Sequence, residues 1–406
     1  DTTLRNQEYT ERRSTLEYKE KSISTIEMVG KKCVGCRSCE QKCPKGCISI
    51  KANKEGFLYP VVNTNECIGC KICVNSCPAV KVPKSRKPIS VYALKNKDKK
   101  RILSSASGGA SDVFARYIIK NNGVVYGCAY TSDMSVKHIE VKEEKYLKKI
   151  QSSKYVQSDI GNSYTKVKKN LDNGKMVLFT GTPCQIAGLD SFLGSKQYDN
   201  LYTLDLICHG VPSPLLFKKY LEYQSEKMKE PVVSFDFRSK EKRGWATQYM
   251  LKTKTKSKSS PLMTDRYGKH FMDGDCYRES CYTCPYSSIR RVSDITVGDF
   301  WGIDKSHPEF SSKLGVSSVL VNTEKGQKLF DSIKEYADYT EATVDEAMVK
   351  QANLKSATLR PASRDTFYNN IEDNDFIAKL KVGLCLKSRI KQIIPVSVIS
   401  WLKRIL

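Results

Sequence analysis

The same cysteine spacing occurs twice near the start of this chain and restricts what that region can fold into. "CVGCRSCEQKCP" starts at Cys33 and "CIGCKICVNSCP" starts at Cys67, and both follow the pattern C-x2-C-x2-C-x3-C-P. Three thiolates at this pitch reach around one corner of a cuboidal [4Fe-4S] cluster, and the cysteine before proline ligates the other cluster. The predicted ligand sets are Cys33, Cys36, Cys39 and Cys77 for one cluster, and Cys67, Cys70, Cys73 and Cys43 for the other.

Zinc is the alternative metal, because zinc sites also use C-x2-C pairs. A zinc ion rarely takes three cysteines at this pitch followed by Cys-Pro, so the duplicated pattern favours iron and sulfur. The chain has 16 cysteines and opens without a signal-peptide pattern, so we expect a cytoplasmic, reducing compartment in which clustered cysteines bind metal. Cys47, Cys128 and Cys385 lie outside the motifs and are expected to be structural.

Beyond the cysteine motifs, predicted strands and helices alternate along the chain. "VVYGCAY" and "KMVLFT" are typical of strands, whereas "SYTKVKKNLDNG" and "PCQIAGLDSFLG" are typical of helices. Such alternation favours an α/β layer with mostly parallel strands. We therefore predict an α+β ferredoxin-like module, then an α/β domain with a mixed sheet, then a helical C-terminal tail. The predicted segments are a polar arm (1–28), the module (29–80), a basic linker (81–102), the α/β domain (103–325), a helical part (326–385) and a basic amphipathic helix (386–406).

Two further cysteines lie where the predicted sheet would bring them together. Cys184 follows one strand in "FTGTPCQ", and Cys208 ends the next strand in "LICHG". The ends of adjacent parallel strands lie side by side at the carboxyl edge of a sheet, where α/β folds bind ligands. Cys281 and Cys284 add a C-x2-C pair, and Cys276 competes with them for a ligand position.

Several segments from about residue 104 to 325 resemble one known family. They are "SASGGASDVFARYIIKNNGVVYG", "SSKYVQSDIG", "FTGTPCQIAGL", "LICHGVPSP" and "CYTCPYSSIRRVSDITVGDFWG". In this order they resemble the beta subunits of coenzyme F420 (deazaflavin) hydrogenases and dehydrogenases, whose relatives include 7-hydroxymethyl chlorophyll a reductase. The resemblance implies that residues 103–325 form a flavin-binding domain with FAD. It also implies a third [4Fe-4S] cluster, held by Cys184, Cys208, Cys281 and Cys284.

The resemblance also points to a flavin site, although no G-x-G-x-x-G fingerprint follows a strand. "SSASGG" precedes a helix whose free N–H groups would attract phosphate, and "SSKYVQS" offers hydroxyls, a lysine and an amide. "TGTP" supplies another helix start, with Thr182 as N-cap and Pro183 at the first helical position. The expected FAD contacts are Ser107, Gly108, Gly109, Ser153, Lys154, Tyr155, Gln157, Ser158, Thr180, Gly181, Thr182, Pro183 and Gln185.

The formal net charge of +24 indicates negatively charged partners. An acidic electron carrier such as ferredoxin, an anionic substrate or an anionic membrane would fit, and so would a solvated lysine-rich surface. No nucleic-acid motif is present, so nucleic acid is not the expected partner. Residues 386–406 carry apolar residues at helical spacing beside lysines and arginines, which predicts either a helix on the inner face of the membrane or one packed on the core. No apolar run is long enough to span a membrane.

The predicted function is that of an iron-sulfur flavoprotein oxidoreductase. Electrons from reduced ferredoxin, or from the deazaflavin coenzyme, would reach FAD through the clusters and reduce an organic substrate, such as a sugar or surface-polysaccharide intermediate. His209, beside Cys208, is the candidate proton donor. The alternatives are an electron-transfer subunit that serves a separate catalytic partner, hydride transfer with coenzyme F420, and a nucleic-acid-binding iron-sulfur protein.

Overall fold

The computed structural model describes residues 25–194 and 196–383 of this chain. The cysteine-rich module begins with a 3-10 helix, Ile26–Lys32, and contains the antiparallel strands β1 (Ile48–Ala52) and β2 (Leu58–Val62). Two short helices, Ser38–Lys42 and Ile72–Asn75, follow the first half of each cysteine motif. The module's core consists of a few aliphatic residues surrounded by the cysteines, so it has little apolar surface to bury on its own.

An eight-stranded mixed sheet forms the centre of the larger domain, and a three-stranded antiparallel sheet lies apart from it. The order in the large sheet is β13-β3-β12-β11-β7-β6-β4-β5, and the run β11-β7-β6-β4 is parallel. Its strands are β3 (Ser90–Asn96), β4 (Val124–Tyr130), β5 (Val136–Val141), β6 (Val177–Gly181), β7 (Leu201–Leu206), β11 (Ile295–Asp299), β12 (Ser317–Val321) and β13 (Ala337–Ala342). The small sheet contains β8 (Ser234–Asp236), β9 (Gln248–Lys252) and β10 (Ser257–Pro261). The predicted mixed sheet is confirmed.

Helices cover both faces of the large sheet. The longer ones are α1 (Ala110–Lys120), α2 (Ser163–Asp172), α3 (Pro183–Leu193), α4 (Pro214–Met228), α5 (Arg266–Asp273) and α6 (Glu324–Ile333). Shorter helices span Lys99–Leu103, Ile303–Ser306, Val344–Met348, Arg364–Phe367 and Phe376–Lys379. Because side chains alternate along a strand, Leu178 packs with the core under α1 and α6, whereas Val177 and Phe179 pack with α2 and α3.

Three segments differ from the sequence prediction or lie outside the described residues. Residues 81–102 are predicted to be a linker, yet they contain β3, whose buried side chains place it between β13 and β12. Residues 326–385 are predicted to be helical, yet they contain the edge strand β13. The helix predicted at 386–406 lies outside the described residues, as do residues 1–24 of the predicted arm. Among the described residues, no helix is long and apolar enough to cross a membrane.

A buried ion pair fixes the carboxyl end of β7, where Cys208 follows. Arg291 Nη2 donates to Asp205 Oδ1 at 2.9 Å and to the Leu206 carbonyl oxygen at 3.0 Å. The side chains of Arg291 and Asp205 are only 1% and 0% exposed. Removing one partner of such a pair would leave the other charge buried without compensation.

We therefore expect Arg291→Met to lower the free energy of unfolding by about 3–5 kcal/mol, because Asp205 would lose its counter-charge. Anaerobic urea unfolding of the purified protein measures this change. Lys334→Met, which removes an exposed ion pair with Asp331, should leave the unfolding free energy nearly unchanged. A small effect of Arg291→Met would show that the pair does not fix this end of the sheet.

Candidate cofactor sites

The eight cysteines of the duplicated motif line two separate cavities. One cavity is lined by Cys33, Cys36, Cys39 and Cys77. The other is lined by Cys43, Cys67, Cys70 and Cys73. Each group takes one cysteine from the opposite motif, as the spacing predicts, because the fourth cysteine of each motif lies beyond a short helix.

The environment of these thiols favours a positively charged metal core. Burial, and then the charges of neighbouring cysteines, raise the pKa of Cys36 and Cys39 well above the ordinary thiol value. Four such thiols can ionise together only if a bound cation offsets their charges. Among the described residues, no three His, Cys, Asp or Glu side chains are grouped tightly enough for a single metal ion.

Cys47 lies closer to these groups than its position outside the motif suggests. It is buried, as predicted for a small structural residue, but its Sγ is 3.4 Å from Cys43 Sγ. It also lines the same cavity as Cys67 and Cys70. The contact is local, because the chain turns between the two residues and the Gly46 N–H donates to the Cys43 carbonyl oxygen at 3.2 Å.

A third group of four cysteines forms at the carboxyl edge of the large sheet. Cys184 lies in the first turn of α3, directly after β6, and Cys208 lies just after the adjacent parallel strand β7. Burial raises the pKa of Cys208, and the charges of Cys281, Cys184 and Cys284 raise it further. Burial likewise raises the pKa of Cys184 to about 11. The four thiols predicted as ligands are therefore neighbours.

Cys276, the competing candidate, is not part of this group. It is fully buried in an aromatic core with Tyr267, Tyr277 and Tyr368. Its pKa is raised by burial and then by the charge of Asp275, with no contribution from Cys184 or Cys208. The structure therefore favours Cys281 and Cys284 over Cys276.

The first and third groups of cysteines lie against each other. A Cβ added to Gly188 of α3 would be 2.6 Å from Cys36 Cβ, so only glycine allows this approach. Tyr286 is buried between the two groups, since burial and then the charges of Cys184 and Cys36 raise its pKa. Its Oη donates to the Pro78 carbonyl oxygen at 3.0 Å. The first and third groups of cysteines therefore lie at the interface between the module and the carboxyl edge of the large sheet.

Arg278 joins the module to the domain beside the third group. It is 1% exposed, and its Nη2 donates to the Leu58 carbonyl oxygen at 2.9 Å. Its Nε donates to the Cys33 carbonyl oxygen at 2.5 Å. Its Nη1 donates to Gln157 Oε1 at 3.0 Å, and Gln157 Nε2 donates to the Val34 carbonyl oxygen at 3.0 Å. These bonds fix the first cysteine motif to a residue three positions before Cys281.

A cavity of about 260 Å³ lies along the same edge of the sheet and reaches the third group of cysteines through Cys184 and Cys208. Most of the residues predicted to contact FAD line it: Ser107, Gly109, Ser153, Lys154, Tyr155, Gln157, Ser158, Thr180, Gly181, Thr182 and Gln185. Gly108 and Pro183 do not line the cavity. Gly108 instead packs against the backbone of β3 and β12, where a Cβ would lie 2.2 Å from the Leu94 carbonyl oxygen.

Several features of this cavity suit an anionic ligand. Helix α1 begins there after Gly109, whose φ of 89° is favourable for glycine. Lys154 is half-buried, and its Nζ donates to the Gln151 carbonyl oxygen at 2.8 Å. Burial lowers the pKa of Lys154 because the ammonium ion lacks a close carboxylate. A bound phosphate or other anion would stabilise the charged lysine.

Sequence reasoning missed three side chains at the far side of the cavity. Arg238 and Asp299 form an ion pair at 2.8 Å, and both line the cavity together with Trp301. Trp301 stacks on Trp245 with a centroid distance of 4.5 Å. The segment "SDITVGDFWG" contains Asp299 and Trp301, but Arg238 comes from the small sheet, so only the tertiary structure unites them.

Two histidines line the cavity and both favour the neutral form. His138 Nδ1 lies 2.7 Å from Ser158 Oγ, and its Nε2 lies 3.0 Å from the Thr180 carbonyl oxygen. Because a carbonyl only accepts, Nε2 carries the proton and Nδ1 accepts from the serine. Burial lowers the pKa of His138 to about 4. Burial also lowers the pKa of His209, the predicted proton donor, although Asp299 opposes this shift.

Acidification is expected to destabilise the protein through His138. Its pKa is about 4 in the folded state against an ordinary value of 6.5, so the unfolded chain binds the proton first as the pH falls. Stability is therefore lost between these two pH values. Between pH 7 and pH 5.5 the loss due to His138 amounts to about 1 kcal/mol.

Urea unfolding of the wild type and of His138→Gln at both pH values measures this loss. The difference in unfolding free energy between the two proteins should shrink at the lower pH. A difference that stays constant would show that His138 is not held neutral.

Two parts of the chain match known protein families. Residues 32–80 match the family described as "4Fe-4S dicluster domain", and residues 174–347 match the C-terminal region of the family described as "Coenzyme F420 hydrogenase/dehydrogenase, beta subunit". A chain from the F420-reducing [NiFe] hydrogenase complex of Methanosarcina barkeri is similar, with 15% identity over 72% of this chain and 91% of that chain and a TM-score of 0.45. No curated protein matches. The predicted resemblance is confirmed: residues 174–347 match the model of the coenzyme F420 hydrogenase/dehydrogenase beta subunit family, and residues 32–80 match a 4Fe-4S dicluster domain.

Proposed function

We propose that this chain is an iron-sulfur flavoprotein oxidoreductase that takes up single electrons at its dicluster module and delivers them to FAD in the cavity. The observation that carries the proposal is the order of the three cysteine groups. Cys70 of one group is exposed, the group with Cys36 is buried behind it, and the group with Cys184 reaches the cavity. The three groups therefore follow one another from the surface to the cavity.

The contacts between neighbouring groups support this order. Cys43 and Cys77 each leave one motif and join the other group, and the charge of Cys73 in one group contributes to the raised pKa of Cys39 and Cys77 in the other, so the two module groups are neighbours. The close approach of Gly188 to Cys36 then brings the first turn of α3, with Cys184, against the module. Iron-sulfur clusters bound at these groups would supply one-electron transfer. Arg278 and Tyr286 hold the groups in place from both sides.

The lining of the cavity supports FAD as the acceptor. The start of α1 and the half-buried Lys154 would bind the phosphates, while Tyr155, Ser158 and Thr182 offer contacts for the remainder of the cofactor. A bound flavin would supply hydride chemistry towards a substrate and one-electron chemistry towards the clusters. Cys184 and Cys208 line the same cavity, so the third group would lie next to that flavin.

Residues on the far side of the cavity suit an organic substrate. Trp301 offers a flat apolar surface, and Asp299 and Arg238 offer an acceptor and donors for hydroxyl or carbonyl groups. His209 lies among these residues and would donate the proton that accompanies a hydride. A sugar intermediate would match these groups, and the deazaflavin coenzyme is the alternative hydride partner. A membrane-linked substrate would agree with the basic segment predicted at 386–406.

The family description favours one alternative. The matched family is named for a beta subunit, which indicates that its members act within complexes of several subunits. In that arrangement the chain would pass electrons to a separate catalytic partner rather than to a substrate of its own. Turnover of a small molecule by the isolated chain distinguishes the two arrangements.

Purified, anaerobically handled protein is expected to contain about twelve irons and one FAD per chain, from three clusters of four irons. Cys184→Ala should lower the iron content by about a third, because one corner of the third cluster would be lost. Cys276→Ala is the matched control and should retain the iron, since Cys276 lies in the aromatic core. Iron and acid-labile sulfide assays measure both variants. Zinc in place of iron, or equal losses in the two variants, would contradict the assignment.

Reduced ferredoxin is expected to reduce the bound flavin in the wild type but not in Cys208→Ala. The module's own cysteine groups remain intact in this variant, so its cluster absorbance should still bleach. Anaerobic stopped-flow absorbance separates the two signals, and dithionite with a mediator checks that the flavin of the variant remains reducible. Flavin reduction at the wild-type rate in Cys208→Ala would show that electrons do not pass through the third group.

A further inference from the structure

We propose that an acidic one-electron carrier protein docks on the exposed surface around Cys70. We call this surface the cluster-edge patch and define it by Lys45, Ile68, Lys71 and Ile72. The inference rests on the proposed function, because it assigns the place where electrons reach the dicluster module. It also distinguishes this patch from the other basic stretches of the chain.

The cluster-edge patch exposes two large apolar side chains of the cysteine module. Ile68 is 57% exposed and Ile72 is 39% exposed, although both are large and apolar. Lys45, Ile68 and Lys71 line the same cavity as Cys70, so the patch lies directly over one cysteine group. A Cβ added to Gly69 would meet no described atom within 4 Å, so no described residue covers the patch.

The charges of the patch are available to a partner. Lys45 and Lys71 are exposed, and neither forms an ion pair with any residue that the structure describes. Glu66 is the exposed carboxylate just before Cys67, whereas Glu40 is held by Arg37 at 2.6 Å. The two lysines therefore outnumber the free carboxylate beside the patch, and the chain as a whole carries a formal charge of +24.

This combination fits an acidic electron carrier rather than a permanent subunit. Small interfaces with an apolar centre and a charged rim are typical of transient redox complexes. Positive charges at the rim increase the association rate of a negatively charged partner, and salt weakens this effect. In each encounter the carrier is oxidised by one electron, the cluster bound by Cys43, Cys67, Cys70 and Cys73 is reduced by one, and the carrier dissociates.

The test compares two charge-reversal variants of the full-length holoprotein. Lys45→Glu/Lys71→Glu changes the patch, and Lys328→Glu/Lys355→Glu makes the same change in net charge at exposed lysines of the C-terminal part. Anaerobic stopped-flow absorbance measures cluster reduction by a reduced plant-type ferredoxin, an acidic carrier, at low and high salt. Reduction by dithionite, which needs no docking surface, is measured in parallel.

The patch variant is expected to react with ferredoxin about tenfold more slowly than the wild type at low salt, with a weaker salt dependence. Its reduction by dithionite, its iron content and the control variant should be unchanged. Equal slowing in both variants, or none in the patch variant, would overturn the proposal. If charge reversal lowers the iron content, Lys45→Gln/Lys71→Gln provides the test, with slowing expected to be about threefold. Failure of dithionite to deliver electrons to the flavin would reject the proposed function while leaving the docking result to stand.

Discussion

The gathering of cysteines into three groups of four is the constraint on which the remainder of this structure depends. Burial and mutual repulsion raise the pKa values of many of these thiols, so they can serve as thiolates only when a cation shares their site. The dicluster module has few aliphatic residues of its own and packs them around the cysteines. Its stability therefore depends on metal binding as well as on its contacts with the sheet domain.

Those contacts concentrate where electrons would have to cross. Arg278 bonds to the backbone of the first motif and of β2, and Gly188 allows α3 to approach Cys36. Arg37 of the module also pairs with Asp159 at 2.6 Å. The same residues thus hold the module in place and bring two cysteine groups together. A substitution at this interface would affect both assembly and electron transfer.

The main role of the large sheet is to position the residues of the site. Its parallel strands β6 and β7 end side by side, which places Cys184 and Cys208 next to each other and next to the cavity. Helix α1 starts at the same edge and directs its free N–H groups there. Asp299 ends β11 and Trp301 lies just after it, whereas Arg238 lies just after β8 of the small sheet. The cavity therefore combines the start of a helix with an aromatic, charged region.

The repeated spacing in the sequence was sufficient to predict the two module groups, because three cysteines of each group lie within seven residues and the fourth is the Cys-Pro cysteine of the other motif. The alternation of strands and helices likewise predicted the mixed sheet and the neighbouring ends of β6 and β7. Tertiary structure alone decided the exclusion of Cys276 and the joining of Arg238 to Asp299. It also showed that β3 and β13 belong to the sheet. The physical reason is that these contacts depend on how whole elements pack against each other rather than on local sequence patterns.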